Sequence, residues 1–177
     1  MDTIKVRNPR SGQFDYEFEL PEPDAIQRRA GELRKAQADW ATRPVESRVA
    51  VLQRWKEQLL THRGAIVEAL VTDTGRHLLA QAGFAGTVAA IDRWCDQAPH
   101  LVREEEGRSR AQPSITFRSQ LVPYPLVGVI SPWNFPLTLS LIDAIQALLA
   151  GCAVLIKPSE VTPRFVEPLR ATIAAVP

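Results

Sequence analysis

The sequence is poor in the residues that build metal sites and disulfide frameworks. Only two cysteines, Cys95 and Cys152, and three histidines occur among 177 residues. Neither cysteine lies in a CxxC motif or at Cys/His spacing, as zinc ligation would require. Two such distant cysteines also provide no disulfide framework. We therefore expect no metal site, two small buried thiols and a reducing, cytoplasmic setting.

An excess of one charge and a long uninterrupted apolar run are also lacking. The sequence has twenty-one Lys and Arg residues and twenty Asp and Glu residues, which gives a formal net charge of +1. This balance gives no electrostatic attraction to nucleic acid or anionic lipid. The most apolar window, 139–156, contains Asp143, Gln146 and Gly151, and the amino terminus has no apolar signal segment. We expect neither nucleic acid nor a membrane as a partner.

The first twenty residues alternate apolar and polar side chains on either side of an Asn-Pro-Arg-Ser-Gly segment at 8–12. A period of two around such a turn is typical of two antiparallel strands. The sequence therefore predicts a hairpin over 1–20.

Residues 21–112 carry the apolar spacing of amphipathic helices. The first of these helices is predicted to use Asp24 as its N-cap. Its predicted buried face consists of Ile26, Ala30, Leu33 and Trp40. Three further helices are predicted from Pro44, over 66–71 and over 78–100. The charged segment 103–112 is interpreted as a solvated linker.

The pattern changes after residue 112. A strand is predicted over 114–122, and two continuous apolar runs follow at 126–130 and 153–156, separated by a predicted helix over 137–150. Strands that are apolar on both faces and joined by a helix are typical of a parallel α/β sheet. We therefore divide the chain into the hairpin 1–20, the helical part 21–112, a strand or arm at 113–125 and an incomplete Rossmann-like unit at 126–177.

Two motifs identify a resemblance. The turn that contains Trp133 and Asn134, in the segment Ser-Pro-Trp-Asn-Phe-Pro, is followed by Lys157-Pro158-Ser159-Glu160 at the end of the next strand. With a Trp40, Pro44 and Arg48 series and a Thr-Gly-Arg turn at 74–76, this pattern resembles the aldehyde dehydrogenase superfamily over essentially the whole chain.

The resemblance implies an α/β fold in which a mainly helical segment precedes the first half of a Rossmann-like parallel sheet, with hairpin strands of an oligomerisation arm. It implies a homodimer or homotetramer that oxidises an aldehyde to a carboxylate with NAD(P)+, through a thiohemiacetal on a cysteine. In the family, that cysteine, the glycine-rich turn and the catalytic domain come later than residue 177. We therefore expect this chain to be the amino-terminal part of a longer enzyme and to be inactive by itself.

The resemblance also assigns roles to individual residues. Asn134 matches the asparagine that stabilises the oxyanion, and Lys157 and Glu160, with Ser159 between them, match groups that reach the adenosine ribose. A stretch that matches the wall of the cofactor groove comprises Ile130, Ser131, Pro132 and Trp133. The carboxylate of Glu160 favours NAD and leaves NADP open as an alternative.

Structural alternatives exist for four of these residues. Asn134 is also a common turn residue, Lys157 and Glu160 could serve the next helix as surface residues, and Trp133 is large enough to be a core residue.

Two alternative functions stand beside the dehydrogenase. A truncated, non-catalytic family member would bind a nucleotide or another subunit, and the first hundred residues could form an interaction module. The two apolar strands would expose their faces and edges without neighbours, so we predict that the isolated chain is poorly soluble or partly disordered.

Overall fold

The computed structural model describes residues 2–176, which form six helices and six strands. In chain order these are β1 (Thr3–Arg7), β2 (Phe14–Glu19), α1 (Pro23–Thr42), α2 (Val45–Thr61), α3 (Arg63–Thr74), α4 (His77–Leu101), β3 (Glu105–Arg108), β4 (Thr116–Ser119), β5 (Val127–Ile130), α5 (Pro136–Ala150), β6 (Val154–Lys157) and α6 (Val166–Ala174). Each strand pairs with one other, as β1–β2, β3–β4 and β5–β6.

Strands β1 and β2 are antiparallel, which confirms the predicted hairpin. Its turn is closed by backbone hydrogen bonds between Asn8 and Gln13 and between Gly12 and Asn8, both 2.8 Å long. Val6 is the buried apolar residue of β1, and the rest of the hairpin is largely exposed. The hairpin therefore touches the rest of the molecule over a small area.

Helix α1 differs from the prediction in its start and in its buried face. It begins at Pro23 with Glu22 as the N-cap residue and no side-chain cap, so Asp24 is not the cap. Asp24 lies in the first turn, where a carboxylate interacts favourably with the positive end of the helix. The predicted apolar face is wrong at Ile26, which is 45% exposed, whereas Ala30, Leu33 and Trp40 are half-buried. Gln37 is the residue of α1 that is buried.

Helices α2 to α6 form the hydrophobic core. The extensive packing of α4 against α2 and α5 follows from the apolar spacing of these helices. Helix α3 is longer than the predicted segment 66–71, because it covers Arg63–Thr74. Fully buried side chains at the centre of the core include Leu59, Ile66, Ile91, Leu141, Ile145 and Phe165.

Three polar side chains hold the carboxyl-terminal end of α5. Arg48 Nε donates to the carbonyl of Leu149, Trp40 Nε1 donates to that of Leu148, and Gln37 Nε2 donates to that of Gly151, each at 2.9 Å. Helix ends leave carbonyls without intrahelical partners, and a cation there also complements the helix dipole. This explains the spacing of Trp40 and Arg48 in the sequence, and burial lowers the pKa of Arg48.

The segment interpreted as a linker over 103–112 contains a strand instead. Strand β3 pairs antiparallel with β4, and the prediction missed it because glutamates and a glycine dominate its sequence. Gly107 lies opposite Phe117, whose ring would come within 2.7 Å of a Cβ atom at this position. Strands β3 and β4 thus form a narrow, exposed arm, which we call the β3–β4 ribbon, in which the ring of Phe117 covers Gly107.

Strands β5 and β6 pair in parallel, as predicted, with Val127 opposite Val154 and Ile130 opposite Lys157. Helix α5 connects them and packs on both strands. It ends at Ala150, and its C-cap residue Gly151 has a φ of 97°, a left-handed conformation that favours glycine. Among the described residues this sheet has two strands, with the predicted α/β order of strand, helix and strand.

Candidate functional site

The carboxyl ends of β5 and β6 lie side by side and form one edge. Ile130 is opposite Lys157, and the backbone N–H of Ser131 donates to the carbonyl of Lys157 at 3.0 Å. The segments that follow, 131–135 and 158–165, therefore leave the sheet together. In open α/β sheets this edge is where ligands bind, and the predicted site residues lie along it.

Asn134 lies in the exposed turn between β5 and α5, next to Trp133 and Phe135. Within residues 2–176 its side-chain amide has no hydrogen-bond partner, so both N–H groups are free to donate to a ligand. Asn134 also lines a small cleft, whose wall is formed mainly by α3, α4 and the start of α5. The cleft residues include Leu70, Thr74, Arg76, Leu79, Gly83, Phe135 and Thr138.

Lys157 and Glu160 form an ion pair at the same edge. Lys157 Nζ lies 2.7 Å from Glu160 Oε2, and the side chains are 61% and 53% exposed. The hydrogen bond from Lys157 lowers the pKa of Glu160, so its carboxylate is charged at neutral pH. One oxygen of Glu160 and the remaining protons of Lys157 can still bind ligand hydroxyls.

The remaining predicted cofactor residues differ in exposure. Ile130, which pairs with Lys157 at the ends of β5 and β6, is 82% exposed. The hydroxyl of Ser131 is buried and donates to the carbonyl of Pro136 at 3.3 Å. Ser159 is buried too, and its Oγ accepts from the N–H of Val161 at 3.2 Å. The structure therefore leaves Ile130, Lys157 and Glu160 accessible and uses both serine hydroxyls internally.

Two contacts on Trp133 were not predicted. The guanidinium of Arg76 lies over the Trp133 ring, 5.7 Å from its centroid, and the Thr162 hydroxyl donates to the Trp133 carbonyl at 3.4 Å. Trp133 itself is half-exposed rather than a core residue. The Thr-Gly-Arg turn was visible in the sequence, but its proximity to Trp133 depends on how α3 and α4 pack.

Asp73, at the end of α3, was also missed. Its carboxylate accepts a hydrogen bond from the backbone N–H of Arg164 at 2.8 Å. Burial raises the pKa of Asp73 to about 6, and the hydrogen bond and charge of Arg164 offset only part of this effect. No short motif in the sequence connects Asp73 with Arg164, which is 91 residues away.

Neither cysteine is placed to act as a nucleophile at this edge. Cys95 and Cys152 are both buried, as predicted, and burial raises the pKa of the Cys95 thiol. Residues 2–176 contain no group of three or more His, Cys, Asp or Glu side chains that could hold a metal ion. Over the same residues, no helix is both long and apolar enough to cross a membrane.

Comparison with known proteins identifies the family. The model of the aldehyde dehydrogenase family matches residues 1–175. The solved structure of the PutA protein of Anabaena variabilis, provisionally classed as an aldehyde dehydrogenase, is 50% identical, with a TM-score of 0.96 over 99% of this chain and 37% of that one. An NAD-dependent benzaldehyde dehydrogenase of Corynebacterium glutamicum is 32% identical, with a TM-score of 0.88 over 99% of this chain and 39% of that one.

A curated relative from Mycobacterium tuberculosis, provisionally named succinate-semialdehyde dehydrogenase [NADP(+)] 2, is 34% identical over 137 residues, which cover 75% of this chain and 26% of the relative. The chain thus spans between a quarter and two fifths of the length of these proteins. Its helices and its parallel strand pair have the aldehyde dehydrogenase fold, and it belongs to the aldehyde dehydrogenase family.

Proposed function

We propose that this chain supplies the oxyanion donor and the ribose-binding groups of an NAD(P)-dependent dehydrogenase that oxidises an aldehyde to a carboxylate. The observation that carries the proposal is the common edge of β5 and β6, which brings Asn134 and the Lys157–Glu160 pair onto adjacent segments. The catalytic cysteine of the family has no counterpart at this edge, so the complete activity requires residues outside this chain.

The role of Asn134 follows from its free amide. When a thiolate adds to an aldehyde carbonyl, negative charge develops on the carbonyl oxygen as the thiohemiacetal forms. Pro132 and Pro136 restrain the backbone on both sides of Asn134, so the turn can present the amide to this oxygen as a hydrogen-bond donor. Because the Asn134 amide has no competing partner within residues 2–176, its donors are available for this step.

The adenosine ribose would be held by Lys157 and Glu160, with Ile130 beside it. A carboxylate accepts hydrogen bonds from ribose hydroxyls and repels a 2′-phosphate, which favours NAD. Lys157 neutralises part of this charge at 2.7 Å, so NADP is disfavoured rather than excluded. The cofactor supplies the hydride acceptor, and the residues of this chain orient it.

Both cofactors occur among the relatives, since one is named for NAD and another for NADP(+). The same two are named for an aromatic aldehyde and for succinate semialdehyde, so the proposal extends to aldehydes as a class. We also propose a cytoplasmic enzyme that forms a homodimer or homotetramer, with the exposed β3–β4 ribbon as the contact arm.

The test is an activity assay on the complete gene product. Purified protein is incubated with NAD or NADP and with benzaldehyde, succinate semialdehyde or an aliphatic aldehyde, and NAD(P)H is measured by absorbance. We expect NAD(P)H to form only when aldehyde and cofactor are both present, with NAD the better cofactor. An absence of turnover in a protein that still binds NAD by calorimetry would contradict the dehydrogenase and support the non-catalytic alternative.

A further inference from the structure

Arg164 joins the amino-terminal hairpin to the edge that carries the site. Its guanidinium pairs with the carboxylate of Asp15 on β2 and lies over the ring of Tyr16, 5.0 Å from the centroid. Its backbone N–H donates to Asp73 Oδ2 at 2.8 Å, and its Nη1 lies 3.4 Å from Asp73 Oδ1. We call Asp15, Arg164 and Asp73 the Arg164 cluster.

Arg164 and Asp73 are too enclosed to form an incidental surface ion pair, whereas Asp15 is 42% exposed. The side chain of Arg164 is 11% exposed and that of Asp73 is 1% exposed. Surface ion pairs contribute little, whereas the loss of one partner of a buried pair leaves an uncompensated charge and is costly. The cluster therefore restrains the three segments that it joins.

One of these segments carries the ribose-binding groups. Residues 158–165 connect Lys157 to α6, and the segment is fixed at its far end by the Arg164 amide and by the buried ring of Phe165. In the middle of the segment, the buried Thr162 donates to the carbonyl of Trp133. The position of Glu160 is therefore tied to the turn that presents Asn134.

The second segment reaches the same turn from the other side. Asp73 precedes the turn 74–76, and the guanidinium of Arg76 lies over the ring of Trp133. Thus Asp73 contacts the ribose-binding segment directly. It also lies three residues before Arg76, whose guanidinium packs on Trp133, the residue next to Asn134. A single buried carboxylate connects both halves of the proposed site.

We propose that Asp73 and Arg164 are positioning residues that set the Lys157–Glu160 segment and the Asn134 turn relative to each other, and that Asp15 couples the hairpin to this arrangement. The inference rests on the proposed function for the identity of the positioned groups. Neither residue is assigned any contact with substrate or cofactor.

The test compares variants of the complete gene product by hydrogen exchange and kinetics. In Arg164→Met we expect faster amide exchange over 158–163 and 131–135, with α2 and α4 unchanged. The matched control is Arg170→Met, because Arg170 is an exposed arginine of α6 that pairs with Glu167. In the dehydrogenase assay, Arg164→Met should raise KM for NAD about tenfold, roughly 1.4 kcal/mol, with a smaller change in kcat.

Substitutions at Asp73 and Asp15 separate positioning from folding. Asp73→Asn keeps an acceptor for the Arg164 amide and should retain the wild-type KM, whereas Asp73→Ala should raise KM as Arg164→Met does. If Arg164→Met does not fold, Asp15→Asn decides by the same exchange measurement, because it removes the charge of the hairpin partner and leaves one side-chain oxygen for Asn8 and Arg164.

Exchange that rises equally throughout the core, or variants that match Arg170→Met in both measurements, would overturn the inference. A wild-type protein without dehydrogenase activity would refute the proposed function, while the exchange measurement would still decide the positioning role.

Discussion

At the scale of single residues, Glu160 provides a test of cofactor choice. Its carboxylate is held in the charged form by Lys157, which lowers its pKa. Glu160→Gln removes the charge that repels a 2′-phosphate and keeps the size of the side chain. We expect the ratio of kcat/KM for NAD to that for NADP to fall about fivefold, as for one exposed charge pair.

Glu167→Gln is the matched control for Glu160, because Glu167 is also exposed and also pairs with a basic residue three positions away. It should leave the cofactor ratio unchanged. If Glu160→Gln also leaves the ratio of kcat/KM for NAD to that for NADP unchanged, Glu160 does not face the ribose.

The raised pKa of Asp73 predicts a pH dependence of stability. The charged groups that face its carboxylate are Arg164 and, farther away, Asp15. With a pKa of about 6 when folded and 3.8 when unfolded, the folded state retains a proton that the unfolded state has lost. This contribution to stability is full below the unfolded value and is lost as the pH rises through 6, a change of about 3 kcal/mol.

Asp73→Asn isolates this contribution because asparagine does not titrate. Urea unfolding of both proteins at several pH values should show the stability of wild type, relative to Asp73→Asn, falling as the pH increases from about 4 to about 7. If the stability of wild type relative to Asp73→Asn increases over this pH range, the charge of Arg164 outweighs burial and lowers the pKa of Asp73.

The sequence predicted where the candidate site residues lie better than it predicted the residues that support them. Asn134, Lys157 and Glu160 lie in short motifs beside apolar strands, and their location at one edge follows from parallel pairing. The motif assignments did not reveal that the hydroxyls of Ser131 and Ser159 bond within their own turns. Asp73 and Arg164 could not be paired, because their contact depends on the packing of α3 beside α6.

At the scale of elements, the end of α5 depends on Arg48. Arg48→Met keeps most of the apolar volume but leaves the carbonyl of Leu149 without its donor. Hydrogen bonds to charged groups contribute about 1.5 to 3 kcal/mol, so we expect Arg48→Met to lower the free energy of unfolding by about 2 kcal/mol. Urea titration monitored by circular dichroism measures this change.

Arg54→Met is the matched control on the same helix, because Arg54 is exposed and has no hydrogen bond or ion pair within residues 2–176. Its expected effect on stability is within about 0.5 kcal/mol. Equal effects of the two substitutions would mean that the contacts of Arg48 with α5 contribute no net stability.

Elements with a strong period were predicted, and elements held by polar contacts were not. Helices α2 and α4 follow from their apolar stripes, and the hairpin follows from its alternation. The buried face of helix α1 was predicted incorrectly at Ile26 because its apolar spacing suggested packing along the whole helix. Instead, Gln37 and Trp40 attach its carboxyl-terminal end to the end of α5 by hydrogen bonds. Strand β3 has almost no apolar residues, so only its pairing with β4 identifies it.

At the scale of the whole molecule, the described residues leave much apolar surface uncovered. Ile130 projects from the sheet edge, and the ribbon with its flanks exposes Ile115, Phe117, Leu121, Val122 and Tyr124. Exposed apolar side chains in such number promote association. We predict that the isolated 177-residue chain sediments as dimers or larger species, in a concentration-dependent manner.

Replacement of Ile115, Leu121 and Val122 by serine should reduce this association if the ribbon is the contact arm. Triple replacement on the exposed face of α1, as Arg28→Ser, Arg34→Ser and Lys35→Ser, provides a control that leaves apolar surface unchanged. A wild-type chain that sediments as a monomer at all concentrations would contradict the role of the ribbon.

The central claim is that the edge of β5 and β6 presents Asn134 to an aldehyde oxygen, and the kinetics of Asn134→Ala in the complete gene product test it most directly. We predict that kcat falls roughly 100- to 1,000-fold, while the dissociation constant for NAD stays unchanged. Gln27→Ala, which removes an exposed amide on α1, should have wild-type kinetics. A kcat of Asn134→Ala equal to that of wild type would contradict the claim.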